Sequence, residues 1–431
     1  MRGHVHKHAD MLSVEEAFDR IVSTFNQLEA EDKPILDSLG QVLDVDVYSL
    51  FDIPPLDNSA MDGYAVRHKD LKGASADNPV VLEVVGVVSA GEIPTNRVEQ
   101  GTTIRIMTGA AIPDGCDAVV PFEDTDETER KDAGLDMDEV GVMVEQPRGK
   151  HIRPAGEDVM KGQKVLKKGS VIRPAEVGVL ASLGLEQVRV IRRPTVAILA
   201  TGNELLSPGQ DIDKGKIYDS NSYSLYTSVL KYGGIPRLLG IAKDNLQDMN
   251  KMLDRGLDAD LLLTSAGVSK GDYDMVKDVL TNRGEVKFWS VRMRPAKPLA
   301  WGMIRGSKKN KNVPHLGLPG NPVSAIVAFE EFVRPAILKM LGKTQLIKPT
   351  IEAKLMGSII NFDGRRVFAR VHVIHDDGTY YAYPLKSQGS NILTSMVAAN
   401  GLAICSENEA RMDKGRLVRV KMLDWNEEVV I

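Results

Sequence analysis

The sequence predicts an α/β protein with additional β-rich domains, and three observations carry that expectation. From residue 195 onward the apolar runs "TVAILA", "PRLLGIA", "DLLLTS" and "PHLGL" alternate with helical stretches, the order that builds a parallel sheet covered by helices. At 80–123 and in the last ~80 residues the pattern changes to short strands separated by Gly and Pro turns. The length, 431 residues, gives about three domains at ~150 residues each, or four when some are small β modules.

Taken in order, "SVEEAFDRIVSTFNQL" opens with Ser13 and Glu16 in capping-box spacing and sets Ala17, Phe18, Ile21, Val22, Phe25 and Leu28 on one helical face. The runs "VVLEVVGVV", "TTIRIM" and "DAVVPF" read as strands of a small β-rich domain, and the acidic "EDTDETERKDAGLDMDE" as an exposed loop or hairpin tip. From "PRGKHIRPAGEDVMKG" a further segment runs to a short helix at "PAEVGVLASLG", and this segment is expected to pair with the N-terminal helix. The domain expectation is therefore 10–50 with 150–190 as a discontinuous N-terminal domain, 51–149 as the β-rich domain, 193–343 as the α/β domain and 348–431 as a C-terminal β domain. Within the α/β domain, "SNSYSLYTSVLKYGG", "LQDMNKMLDRG" and "VSAIVAFEEFVRPAILKML" read as helices. At the end, "RVFARVHV" and "RLVRVKM" are strands of a small barrel or sandwich.

Composition excludes several classes. A net charge of −5 and a pI near 6.0 argue against bulk nucleic-acid binding, which shows as a basic excess. Cys116 and Cys405 stand in no CxxC or Cys/His spacing, so neither a disulfide framework nor a structural zinc site is expected. No apolar run approaches the ~18 residues of a membrane span, and a cytoplasmic protein is expected. His4, His6 and His8 read as a solvated tail. Walker A and HExxH motifs are absent and no GxGxxG follows a predicted strand, so the standard nucleotide, zinc-protease and nicotinamide readings lose support.

Chemistry concentrates where strands end. "TGNEL", "KDN", "SAGVSKGDYD" and "LPGNP" each follow a predicted strand, and in open α/β sheets that edge binds ligands. These loops bring the acids Glu204, Asp244, Asp272 and Asp274, and the candidate ligand contacts Thr201, Gly202, Ser265, Gly267, Val268, Ser269, Pro319, Gly320 and Asn321. For Glu204 or Asp244 taken singly, a helix cap or turn is the plainer alternative; their convergence favours a site. "RMRPAKPLAWG" adds Arg292, Arg294 and Lys297, which read equally well as an edge strand guarded by cations. An oxyanionic ligand held by Arg and Lys, with Mg²⁺ between it and the carboxylates, accounts for both sets of charge. Upstream, "PPLDNSAMDGYAVR" surrounds Met61 with Asn58, Ser59 and Asp62, and "IRIMTGAAIPDGCDAVV" sets Thr108 and Gly109 at a strand end.

With those two stretches, and with "GEDVMKG", "TGNEL", "DSN", "SAGVSKGDYD", "RPAKP" and "LPGNPVSA" in the same order, the sequence resembles the molybdopterin molybdenumtransferase family, which includes the E domain of gephyrin. The resemblance runs from residue 10 to the end. It implies homodimers of four-domain subunits with a molybdopterin-binding α/β domain and a C-terminal β-barrel. It implies insertion of molybdate into adenylylated molybdopterin with release of AMP, Mg²⁺ as cofactor, and other molybdenum cofactor biosynthesis proteins as partners. Asp62 and Thr108 would then face the α/β cleft of the other subunit, where Glu204, Asp244, Asp274, Arg294 and Lys297 lie, with Asp158 and Ser390 as further matches. Glu204, Asp244 and Asp274 would be the metal ligands. The sequence departs from the family in Ala266 (commonly Gly), Asn203 (commonly Asp), and Arg294 and Ala296 (commonly Lys and Gly). Arg294 bears most on the choice between molybdate and tungstate, because its fork differs from lysine's point charge. The competing functions are an adenylyltransferase acting on the same pterin and an interaction scaffold.

Overall fold

The computed structural model describes residues 11–266, 275–305 and 312–425; the three alternating N-terminal histidines and the loop 267–274 lie outside the described residues. The chain divides into two compact units, Met1–Asp44 with Gly169–Gly178 and Leu185–Ile431, and Val45–Lys168 with Val179–Gly184.

Helix α1 (Val14–Val22) begins at the predicted capping box: Ser13 Oγ accepts from Glu16 N (3.1 Å) and Glu16 Oε2 accepts from Ser13 N (2.9 Å). Its apolar face, Val14, Ala17 and Ile21, is buried with Val196, Ile198 and Phe329 in the core of the α/β domain. The expectation that α1 pairs with the 147–192 segment is thereby corrected. An amphipathic stripe states that a face is buried, and not against what. Strand β1 (Ala30–Pro34) is the N-terminal element that meets the later segment, lying antiparallel to a strand at Gln187–Ile191.

In the second unit, β2 (Gly63–Val66), β3 (Val80–Val88), β4 (Thr102–Ile106), β5 (Ala118–Pro121) and β6 (Glu139–Val142) form a five-stranded sheet in the order β5-β2-β4-β3-β6. The acidic stretch expected to be an exposed loop instead contains α2 (Glu127–Asp132). Glu127, 2 % exposed, is ion-paired with Arg105 (2.8 Å) and Lys131 (2.5 Å), so one acid of that run is a buried tether rather than solvated charge.

The first unit holds helix α3's first residues (Pro174–Ser182 overall), β7 (Gln187–Ile191) and a six-stranded sheet built from β8 (Thr195–Thr201), β9 (Ile235–Ala242), β10 (Leu261–Ser265), β11 (Gly284–Ser290), β12 (Pro298–Arg305) and β13 (Asn312–Leu318). Its order is β9-β8-β10-β13-β12-β11: the first four strands are parallel, and β12 and β11 extend the sheet antiparallel. Residues alternate across it. Val196 and Ile198 of β8 face one apolar core, Ala197 and Leu199 the other, as a sheet covered on both faces requires. Helices α4 (Asn221–Lys231), α5 (Leu246–Asp254) and α6 (Met275–Arg283) follow β8, β9 and β10, while α7 (Pro322–Ala328) follows β13 and continues through a π-helical turn (Phe329–Val333) into α8 (Arg334–Met340).

The C-terminal segment, whose strands read as barrel or sandwich and for which the resemblance implies a β-barrel, is a closed barrel. Strands β14 (Thr350–Leu355), β15 (Arg366–Asp376), β16 (Thr379–Pro384), β17 (Gly401–Cys405) and β18 (Leu417–Met422) pair in the cycle β15-β16-β14-β18-β17-β15. Closure removes the free strand edges of an open sheet.

Candidate functional site

Because β8, β9, β10 and β13 are parallel, their C-terminal ends share one edge of the sheet. Hydrogen bonds lace those ends together. Thr201 Oγ1 donates to Ser265 O (3.3 Å), Gly202 N to Ala242 O (3.3 Å) and Ala266 N to Leu318 O (3.0 Å). Asn221, buried at the start of α4, donates Nδ2 to both Ser265 Oγ and Gly320 O, at 2.8 Å each. Thr201, Ser265 and Gly320 are thus brought together by Asn221, whose place in "DSN" does not by itself mark it as a site residue. Pro319, Gly320 and Asn321 lead into α7. Asn321 Nδ2 donates to Ser390 Oγ (3.1 Å) and Val323 N to Ser390 O (3.1 Å), so Ser390 is held at the same rim. Gly267, Val268, Ser269, Asp272 and Asp274 lie outside the described residues.

Two acids occupy the loops after β8 and β9. Gly202 has φ +138°, and a Cβ there would sit 2.4 Å from Glu204 Oε2, so only glycine lets the Glu204 carboxylate fold back over the backbone. Among the described residues no hydrogen bond or ion pair engages the Glu204 carboxylate. Asp244 Oδ2 accepts from Asn203 N (3.1 Å), and Asn203 Oδ1 accepts from Asp244 N (3.2 Å).

The cations gather elsewhere in the same unit. Arg294 donates Nη2 to Ile360 O (2.7 Å), lies 4.1 Å over the Phe362 ring, and has Nη1 3.7 Å from Asp363 Oδ2. That Nη1 is buried without a hydrogen-bond partner, and burial lowers the Arg294 pKa. Lys297 is half-buried just before β12, and no acid among the described residues pairs with it. Strand β12 lies between β13 and β11, so Lys297 leads into an interior strand, whereas Met293–Arg294 pairs at the edge of the barrel sheet as the plainer reading has it.

Arg370 was not anticipated. It is 1 % exposed in β15, donates to Ser395 Oγ (3.2 Å) and to the carbonyls of Ser387 (3.3 Å) and Gly389 (3.1 Å), and burial pushes its pKa down to about 10. With Arg294, Lys386 and Gln388 it lines a cavity of about 350 Å³ whose described lining contains no carboxylate. A buried guanidinium without a counter-ion is costly unless an anion visits it. The available signal was in "RVFARVHV": its alternation assigns Val367, Ala369 and Val371 to the barrel interior, leaving Arg370 on a face that is nonetheless buried.

In the other unit, Thr108 donates to Asp62 Oδ1 from both N (2.6 Å) and Oγ1 (2.8 Å). These bonds, the backbone one first, hold the Asp62 carboxyl below the usual range. The polar residues around Met61 are in part turn-builders: Ser59 Oγ donates to Met61 O (2.6 Å), and Gly109 N to Ser59 O (2.8 Å). Gly63 admits no side chain, since a Cβ would meet Val120 O at 1.9 Å. Asp158 is exposed, and its N donates to Ile53 O (3.0 Å).

Three family models match in succession: "MoeA N-terminal region (domain I and II)" over 12–184, "Probable molybdopterin binding domain" over 197–339 and "MoeA C-terminal region (domain IV)" over 352–423. Molybdopterin molybdenumtransferase 2 of Mycobacterium tuberculosis is 38 % identical over 394 residues, covering 90 % of this chain and 93 % of the relative. The chain belongs to the molybdopterin molybdenumtransferase family. A further member, molybdopterin molybdenumtransferase of Nostoc sp., is 34 % identical across 97 % of this chain and 95 % of its own. The crystal structure of the molybdopterin biosynthesis moeA protein from Pyrococcus horikoshii OT3 superposes with a TM-score of 0.75 at 29 % identity, covering 96 % of this chain and all of that one. Family membership thus accounts for the α/β domain, the β-rich domain and the barrel together.

Proposed function

We propose that the protein inserts molybdate into adenylylated molybdopterin with release of AMP, as a step of molybdenum cofactor biosynthesis. The observation that carries this reading is the presence, in one unit of a chain of this family, of a laced strand-end rim bearing the Glu204 and Asp244 carboxylates and of a cationic cavity whose described lining contains no acid. Thr201, Ser265, Asn221 and the 319–321 loop hold the rim in place for the phosphate of the pterin. Lys297, Arg370, Lys386 and Arg294 neutralise the oxyanion. No protein nucleophile is required, because the dithiolene sulfurs of the ligand receive the metal.

The donor set suits Mg²⁺. Glu204 and the free oxygen of Asp244 are hard ligands on neighbouring loops, and Mg²⁺ is commonly held by one or two carboxylates with retained water. Among the described residues no group of three His, Cys, Asp or Glu side chains gathers; we assign Mg²⁺ to Glu204 and Asp244 on the resemblance, which implies Asp274 as the third ligand. Bound there, the ion would polarise the adenylyl phosphate. We further propose a homodimer, in which Asp62 of the partner subunit and Thr108 of the partner subunit complete the site. A cytoplasmic location belongs to the same proposal, since thiols such as Cys116 and Cys405 stay reduced there. No described helix is long and apolar enough to cross a membrane.

The reading is tested by supplying adenylylated molybdopterin, Mg²⁺ and molybdate, and following AMP and ATP. AMP release without ATP consumption is expected. ATP consumption with adenylation of free molybdopterin would make the protein an adenylyltransferase instead, and neither activity would leave a scaffold.

A further inference from the structure

Phe362 lines the cavity of Arg294, Arg370 and Lys386, yet 80 % of it is exposed, so burial of its own ring does not explain its place. Its loop does. Asn361, 3 % exposed, donates Nδ2 to Ser406 O (3.0 Å) and N to Ala410 O (2.8 Å), which anchors one end. At the other end Arg365 Nη1 donates to Met293 O (3.3 Å) and Arg366 N to Arg292 O (2.9 Å), tying the loop to the short strand that carries Arg294. The ring is therefore placed without help from Arg294, and the Arg294 guanidinium carbon lies 4.1 Å from its centroid, well inside cation–π range. Arg294 has little else to orient it. Nη2 donates to Ile360 O (2.7 Å), while Nη1 is buried without a hydrogen bond, 3.7 Å from Asp363 Oδ2, an oxygen that already accepts from Arg365 Nε (3.0 Å). One hydrogen bond and a shared carboxylate let the fork turn, whereas an aromatic face against it restricts its plane.

We propose that Phe362 is a positioning residue: by packing its ring against Arg294 it fixes the guanidinium and keeps the fork available to an oxyanion in the cavity. The proposal rests on the reading of that cavity as the oxyanion site. Arg370 supports the reading independently of Phe362. It is 1 % exposed and lines the same cavity, and while its Nε and Nη2 are engaged, its Nη1 donates no hydrogen bond among the described residues. The arrangement is specific to arginine, because a lysine ammonium is a point charge on a flexible stem and offers no plane for a ring to fix. Cation–π contacts are weak at exposed sites and stronger when desolvated; Arg294 is half-buried, so loss of the ring weakens anion binding by about 3–10-fold. A residue that only shapes its own loop gives no effect that depends on the arginine.

The experiment is equilibrium dialysis of the full chain against molybdate, with bound molybdenum read by mass spectrometry and thermal unfolding measured on each variant. Wild type, Phe362→Leu, Phe362→Tyr, Arg294→Lys, the double variant Arg294→Lys with Phe362→Leu, and Arg370→Ala are compared. Phe362→Leu should bind about 3–10-fold more weakly at an unchanged unfolding midpoint, and Phe362→Tyr, which keeps the ring, should bind as wild type does. In the Arg294→Lys background Phe362→Leu should add less than about twofold, the non-additivity expected of two residues that act through one contact. Wild-type affinity in Phe362→Leu, the same loss in Phe362→Tyr, or an equal loss in both backgrounds overturns the role of Phe362, and weakened binding in Arg370→Ala then leaves the oxyanion cavity standing. No binding by wild type, or wild-type affinity in both Arg370→Ala and Arg294→Lys, overturns the reading of the cavity and the proposal with it.

Discussion

Ala266 holds φ +79°, a conformation that costs a residue with a Cβ about 1–2 kcal/mol, at the end of the strand that opens the ligand loop. Replacing it with glycine, the residue common in this family, should raise stability by about 0.5–1 kcal/mol once the greater freedom of unfolded glycine is subtracted, and denaturant unfolding measures it. An unchanged or lower midpoint would mean that the Ala266 methyl contributes packing that offsets the strain. Arg370 gives the corresponding prediction for ligand use. Arg370→Ala should raise the molybdate concentration for half-maximal AMP release by about 10–100-fold, the loss of a buried charged hydrogen bond of roughly 1.5–3 kcal/mol. The same molybdate dependence as wild type would return Arg370 to holding the 387–389 carbonyls alone. These two residues also mark how far the sequence could be read. Glu204 and Asp244 were legible because Gly-containing loops after strands advertise an edge. The alternation of "RVFARVHV" puts Arg370 on the outer face of its strand, but its burial there comes from packing that the alternation does not state.

The strands and helices of the α/β domain follow from periodicity, since each apolar run is short, bounded by Gly or Asx, and covered on both faces. What periodicity could not supply was partner choice, as α1 illustrates, or the antiparallel strands β11 and β12 that widen the sheet. The centre of that sheet holds a group with a pH signature. His315 of β13 is fully buried, its Nε2 lies 3.0 Å from Thr264 Oγ1 of β10, and burial lowers its pKa to about 3. The folded protein therefore keeps His315 neutral where the unfolded chain, with the ordinary value of 6.5, takes up a proton. Its contribution to stability is complete above pH 6.5 and is lost as the pH falls toward 3. Stability measured by denaturant across that window should fall less steeply in His315→Gln than in wild type. Parallel slopes would show that His315 is protonated within the fold.

Across the whole chain, the sequence pattern changes between α/β alternation and short strands, whereas assembly leaves no such mark. The proposed shared site makes assembly measurable. Asp62→Ala and Glu204→Gln subunits, each inactive alone, should recover about a quarter of wild-type activity when mixed and allowed to exchange, because a symmetric mixed dimer regains one intact site. No recovery in demonstrably mixed dimers would place both residues in the site of a single subunit. The central claim concerns the reaction, and a single turnover decides it. Enzyme in excess over adenylylated molybdopterin, given molybdate and Mg²⁺, should yield one molybdenum bound to the pterin for each AMP released, with both products absent when molybdate is omitted. Release of AMP at the same rate without molybdate, or with no molybdenum on the pterin, would contradict the account.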